Sequence, residues 1–290
     1  MATHSITSIL LKCFTFLRIL PSEKRTWLNK IGTILWFLNG LVGCAGLLVY
    51  DYKTLNFADF DSYTFSFVAS DLISMFSTTL PFPAIFYFAT KIYHPLLELN
   101  LTRPLRVWHL LATVIAFFLS MGSLAWEFIP VYTSFYRVFI VMADINLLIS
   151  GISEVFIFGV ASSWFSSKVD RLLQQSDLDL QVECGEIIDL FSQMKKGAAP
   201  LLFIVFATDT CFFIFIAYMV SQQPLIGVFI PYEVLKLSYI AFVVEDCYTK
   251  FQSVVPRCRY KFQSVVPRCR YKLYIFRQDA GINYIYLNKS

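Results

Sequence analysis

Residues 180–248 read LQVECGEIIDLFSQMKKGAAPLLFIVFATDTCFFIFIAYMVSQQPLIGVFIPYEVLKLSYIAFVVEDCY. The stretch opens charged and amphipathic, with Glu183, Glu186, Asp189, Lys195 and Lys196. It passes without a break through Ala198, Ala199 and Pro200 into an apolar run that ends at Val220. Four uncharged polar or turn residues, Ser221, Gln222, Gln223 and Pro224, lead into a second apolar run from Leu225 to Tyr248. A water-soluble fold has no use for two such runs joined so briefly. A bilayer core about 30 Å thick does, because about 20 helical residues cross it and satisfy their own backbone on the way. The stretch therefore predicts a membrane hairpin on a charged stalk.

Composition extends that reading to the whole chain of 290 residues. Hydrophobic residues make up 57% and charged residues only 15%, against roughly 25% charged in soluble domains. Mean hydropathy is +0.61. The apolar runs do not alternate with polar residues, which argues against a transmembrane β-barrel. The formal charge of +4 is too small to point to nucleic acid. The expected class is all-α, a polytopic transmembrane helix bundle.

A sliding apolar window gives six spans, at about 31–50, 63–89, 107–129, 133–165, 198–220 and 225–248. Pro81 and Pro83 are expected to kink the second. The fourth is longer than a bilayer needs, so it tilts or projects into water. Of the 24 Lys and Arg, 21 fall in the N-terminus, the second and fourth connections and the tail. Only Lys53 and Arg137 fall on the other side, and Lys236 lies within a span. The positive-inside rule then places the N-terminus, and with six spans the C-terminus, in the cytosol. The organisation expected is a cytosolic amphipathic N-terminus over 1–30, a bundle over 31–250 with a cytosolic stalk at 166–197, and a basic tail over 251–290. The N-terminus lacks a signal-peptide cleavage pattern and reads as a helix lying on the inner surface.

In the tail, FQSVVPRCRYK over residues 251–261 recurs unchanged over 262–272. Two copies do not make a solenoid, so the duplication reads as recent or as an error of gene assembly. The other reading is a basic strip, Arg257 to Lys272, against anionic lipid. The seven cysteines show no metal-ligand spacing and read as free thiols. Asn100 and Asn288 fit the glycosylation pattern but fall on the cytosolic side, where they would be inert.

Ionisable groups inside spans are costly and by default functional. Here they are Asp71, Asp144, Glu154, Asp209, Glu233 and Lys236. Asp71, Asp144 and Glu233 are expected in the outer halves of their spans, and Asp209 and Lys236 near the middle. Glu233 and Lys236, three apart, share a helix face and can pair. Together with Trp126, Tyr136, Tyr218 and Tyr232 they outline a polar cavity open to the outside for a small cationic or hydroxylated molecule. The competing reading of each acid is an interhelical hydrogen-bond partner with no ligand. No hydrolase elbow, zinc-protease motif or phosphate loop occurs, so no enzyme and no cofactor is expected. His109 reads as a packing residue at the inner end of the third span.

Several segments carry a resemblance. The N-terminal segment from Leu10 to Pro21 (LLKCFTFLRILP), a long fourth span feeding the charged segment Val169 to Lys196, and Glu186 to Phe191 (EIIDLF) leading into a fifth span that ends Ile216, Ala217, Tyr218 resemble arthropod gustatory receptors. So does the segment from Leu235 to Lys250, with Cys247 closing the sixth span. The likeness covers about residues 10–250 and lies in layout rather than in a specific motif. It implies an insect-type seven-helix chemoreceptor with its N-terminus inside the plasma membrane. It also implies assembly as a homo- or hetero-oligomer, a tetramer in that family, forming a ligand-gated cation channel for a tastant. That family's Thr-Tyr and Gln-Phe motif in the last helix is not found here, so the resemblance implies a version lacking that helix. Two other readings stand beside it. One is a G-protein-coupled receptor fragment, which the charge count opposes. The other is a proton-coupled membrane carrier, in which Asp144 or Asp209 would be needed for uptake.

Overall fold

The computed structural model describes residues 2–17, 19–20, 26–54, 62–92, 107–127, 137–174, 180–222, 230–265, 271–277 and 283–289. Eight helices are described: α1 (Ala2–Phe16), α2 (Thr26–Thr54), α3 (Ser62–Thr79), α4 (Pro81–Lys91), α5 (Val107–Glu127), α6 (Arg137–Gln174), α7 (Leu180–Gln222) and α8 (Ile230–Val265). A two-stranded antiparallel hairpin, β1 (Tyr271–Arg277) and β2 (Asn283–Lys289), follows them, with Tyr271 opposite Lys289 and Arg277 opposite Asn283. The bundle is helical as expected. The hairpin adds strand to a chain read as all-α. It includes Leu273 to Phe276 and residues 283–287, segments too short to span a bilayer but rich in β-favouring residues.

Helix α6 is the axis of the bundle and packs against α2, α3, α4, α5, α7 and α8. Its sequence has no one-sided apolar stripe, which suits a helix buried on every side. Every residue from Ser150 to Ser166 is buried. The helices around it bury one face and leave the other exposed. Phe203 and Ile214 on α7, Leu35 and Leu38 on α2, and Phe118 on α5 all stand on the outside. So broad an apolar exterior is unusual for a protein surrounded by water. Among the described residues, three helical stretches are long and apolar enough to cross a membrane: Lys30–Val49, Val141–Leu173 and Cys184–Tyr218, of 20, 33 and 35 residues. A shorter apolar stretch covers Val107–Leu119.

Close contacts fix the helix directions. Along α2, Gly40, Gly43 and Gly46 meet Asn146, Ala143 and Phe139 of α6 in turn, so these two helices are antiparallel. At Gly43 an added Cβ would lie 2.8 Å from the Ala143 backbone nitrogen. Small residues of this kind let membrane helices approach closely. Helices α6 and α8 run parallel: Gly151, Glu154, Gly159 and Ser166 meet Tyr232, Lys236, Tyr239 and Lys250 in order. The second apolar segment runs antiparallel to α7, with Phe65 against Phe215 at one end and Lys91 against Gly197 at the other.

The second segment is interrupted where its prolines predict. α3 stops at Thr79, Leu80 turns, and Pro81 opens α4 as its first helical residue. Each proline removes one backbone donor and so frees a carbonyl upstream. Asn146 of α6 steadies the break: its Nδ2 donates to the Trp36 carbonyl at 2.8 Å and the Thr78 carbonyl at 3.4 Å. Asn39 Nδ2 donates to Asn146 Oδ1 at 2.7 Å.

Two helices run well beyond a single apolar run. The charged stalk and the fifth apolar run are one 43-residue helix, about 64 Å long at 1.5 Å per residue. Helix α8 runs on through Pro256 to Val265, across the first copy of the repeat and into the second. The two copies differ in structure, since residues 251–261 are all helical whereas Tyr271 and Lys272 lie in β1. Helix α1 is docked on the core. Leu11 and Phe14 are buried, Phe14 stacks on Phe156 at 4.9 Å, and Trp36 Nε1 donates to the Leu17 carbonyl at 2.8 Å.

Candidate functional site: a buried charge cluster

Lys236 sits one turn and a half into α8, on the face turned to α6 and α7. Three carboxylates surround its ammonium. Asp209 Oδ2 of α7 and Glu233 Oε2 of α8 each lie 2.9 Å from Lys236 Nζ, and Glu154 Oε2 of α6 lies 3.7 Å away. All four side chains are almost fully buried. The i,i+3 spacing of Glu233 and Lys236 is what brings that pair together within one helix. Asp209 and Glu154 arrive because α7 and α6 flank α8. The Tyr232 ring lies 5.6 Å from Lys236 Nζ. Its hydroxyl packs against Gly151, where an added Cβ would collide with it.

Charges in an apolar interior persist only when paired, since removing them from water costs several kcal/mol each. With all three carboxyls ionised, the cluster would carry two negative charges in excess. Protons or an added cation must supply that balance. The arrangement can therefore hold or exchange protons, or accept a small cationic molecule beside the carboxylates.

The residues expected from sequence divide sharply. Asp209, Glu233 and Lys236 meet, with Tyr232 beside them. Glu154, recognised as a buried acid but not placed among the ligand candidates, belongs with them. Its membership follows from the fold, since α6 has no one-sided apolar stripe to tell which of its faces meets α8. Glu233 reaches the Lys236 ammonium from three residues nearer the start of α8. Asp144 does not join: it is half-buried on α6, ten residues before Glu154, or about 15 Å along the axis. Tyr218 is exposed on α7, about one turn from the helix end at Gln222 and away from Lys236. Asp71 and Trp126 lie in α3 and α5, but their side chains, like the whole of Tyr136, fall outside the described residues.

A second polar pair lies one turn along α8. His109 Nδ1 of α5 and the Tyr239 hydroxyl are 2.7 Å apart, both side chains buried. The packing role expected of His109 thus includes a specific hydrogen bond. Gly159 of α6 makes room for it, since a Cβ there would lie 2.6 Å from the Tyr239 hydroxyl. Further along, Lys250 Nζ donates to Ser166 Oγ and to Asp246 Oδ2, each at 2.6 Å. Cys13, Cys44, Cys211 and Cys247 are free thiols as expected, but Cys184 is disulfide-bonded. Spacing along a chain does not tell which thiols a fold brings within bonding reach.

No family model, characterised protein or solved structure matches this chain. The site itself must carry the functional argument.

Proposed function

We propose that the chain is a six-span plasma-membrane protein with a cytosolic N-terminus, and that it serves as a gustatory-type chemosensory receptor subunit for a small external molecule. The observation that carries this reading is the convergence on Lys236 of carboxylates from three helices inside a bundle with an apolar exterior. Buried ionisable groups in membrane helices mark binding or translocation sites. The alternating helix directions support the six-span reading. α2 and α7 each oppose α6, the α3–α4 segment opposes α7, and α6 and α8 agree, as successive crossings require.

In this reading the ligand is a small cationic or hydroxylated molecule that binds beside Asp209 and Glu233. Tyr232 lines the same place. The receptor acts as an oligomer, with a cation current as its output. The test is a calcium or current response to a tastant panel in cells expressing the chain, with Asp209→Asn and Glu233→Gln compared at matched surface level. Altered ligand response at unchanged surface expression supports the reading. Loss of surface expression alone in both variants means that the cluster only holds helices together.

A second reading, a proton-coupled carrier, is favoured by one observation: three carboxyls share one ammonium. Uptake that requires Asp209 and a proton gradient would select it.

A further inference from the structure

The polar groups of the bundle are not scattered; they follow one helix interface. From Glu154 to Ser166, α6 rises about 18 Å. Along that length its α8-facing side carries Glu154 at the ion cluster, Gly159 against the Tyr239–His109 pair, and Ser166 bonded to Lys250. Ser162 is the position between the last two. It follows Gly159 by three residues and precedes Ser166 by four, so it shares their face. Ser162 is buried, and its hydroxyl has no hydrogen-bond partner among the described residues. A buried hydroxyl without a partner is costly, and a polar site of this kind is where an internal water settles.

We propose that the α6–α8 interface is a proton path from the Lys236 cluster to the partly exposed Lys250. The inference rests on the reading that the bundle spans a bilayer. The rungs are the cluster carboxyls, Tyr239 with His109, Ser162 with water, and Ser166 with Lys250 and Asp246. Their axial spacings are about 7.5, 4.5 and 6 Å, each within reach of a side chain and one or two waters. On the other side of the cluster, α8 begins at Ile230, only about 9 Å from Lys236.

The chemistry is proton hopping alone. A proton arriving at a carboxylate of Glu154 or Asp209 forms an O–H bond. At Tyr239, Ser162 and Ser166 an oxygen lone pair accepts one proton while the same group releases another to its neighbour. At the last rung the Lys250 ammonium first gives a proton to Asp246 or to water, and the amine lone pair so freed takes one from Ser166. His109 takes a proton on one ring nitrogen and gives one up from the other. Every group is restored after reorientation, one proton has moved, and no electron changes hands. The charged and titratable groups facing the path are His109 from α5, Glu154 from α6, Asp209 from α7, and Glu233, Lys236, Tyr239, Asp246, Cys247 and Lys250 from α8.

The experiment places the full chain in phosphatidylcholine vesicles with a pH dye inside and applies a pH gradient with valinomycin and potassium. The expected result is proton entry faster than in protein-free vesicles. Ser162→Ala and Tyr239→Phe should each slow it about tenfold, the effect on a barrier of roughly one lost hydrogen bond. Ser77→Ala, on α3 and bonded to the Ile73 carbonyl, should leave it unchanged. Proton entry no faster than in protein-free vesicles overturns the proposal, as does entry that Ser162→Ala and Tyr239→Phe both leave unaltered. Alkaline extraction of the same vesicles reports separately on membrane insertion. A chain released by alkali contradicts the membrane reading itself, whereas a chain that stays inserted without proton entry contradicts only the path.

Discussion

Lys236 of α8 and Asp209 of α7 form a 2.9 Å ion pair almost completely shielded from the surroundings. It links the last two apolar runs, those of α7 and α8, from within. With Glu233 and Glu154 on the same ammonium, the pair also ties those two helices to the central helix.

Removing the ammonium should therefore be far more damaging than removing any one acid. Lys236→Met leaves three carboxyls buried without a counter-charge, a change expected to cost about 3–5 kcal/mol. Thermal unfolding in detergent should show a large loss for this variant. Most of it should return when Asp209→Asn, Glu233→Gln and Glu154→Gln are added, because the uncompensated charge is then gone. A Lys236→Met protein as stable as the parent would mean that the cluster is not closed as described.

Asn146 serves three backbone or side-chain partners from α2 and α3 at the interrupted second segment. Asn146→Leu should cost about 1 kcal/mol, near the middle of what interhelical hydrogen bonds in membranes contribute. Hydrogen exchange should quicken at Thr78 and Leu80, beside the proline break, and not at the far end of α4. Uniform quickening along α4 would contradict a local role.

How much of this was legible beforehand depends on which physics the sequence records. Hydropathy runs and proline positions are local, so the apolar helices and the break at Pro81 could be read directly. The Glu233–Lys236 pair was readable for the same reason, being set by helix periodicity alone. Glu154 and His109 were not placed. Apolar and polar residues are spread around α6, so no amphipathic stripe declares which neighbour each residue meets. Tyr218 and Asp144 were grouped with the cluster because a hydropathy window gives depth but no direction around the helix. The C-terminal strands escaped notice because short apolar segments were judged only against the length of a membrane span.

The repeat gives a test in which sequence and structure part company. Deleting residues 262–272 yields the same chain as deleting 251–261, since the copies are identical. The surviving copy should keep the contacts of the first: Phe251 stacked on Phe191 at 4.0 Å, and Val254 buried. Its Tyr and Lys should then lead straight into Leu273 and start β1. The thermal midpoint is expected to match that of the full chain, with Phe251→Ala lowering it. A deletion as harmful as Phe251→Ala would show that the second copy carries contacts of its own.

The most direct test of the central claim, a bundle that crosses the bilayer and carries the Lys236 cluster in its interior, is sidedness. Ser221 is exposed at the end of α7 and Lys196 is exposed on the same helix, about 37 Å away along its axis. Ser221→Cys and Lys196→Cys would each be treated on intact cells with a membrane-impermeant maleimide and compared with the unaltered chain. Labelling of Ser221→Cys alone, with Lys196→Cys reacting only after the cells are opened, is the expected result. Labelling of both on intact cells, or of Lys196→Cys alone, would contradict it.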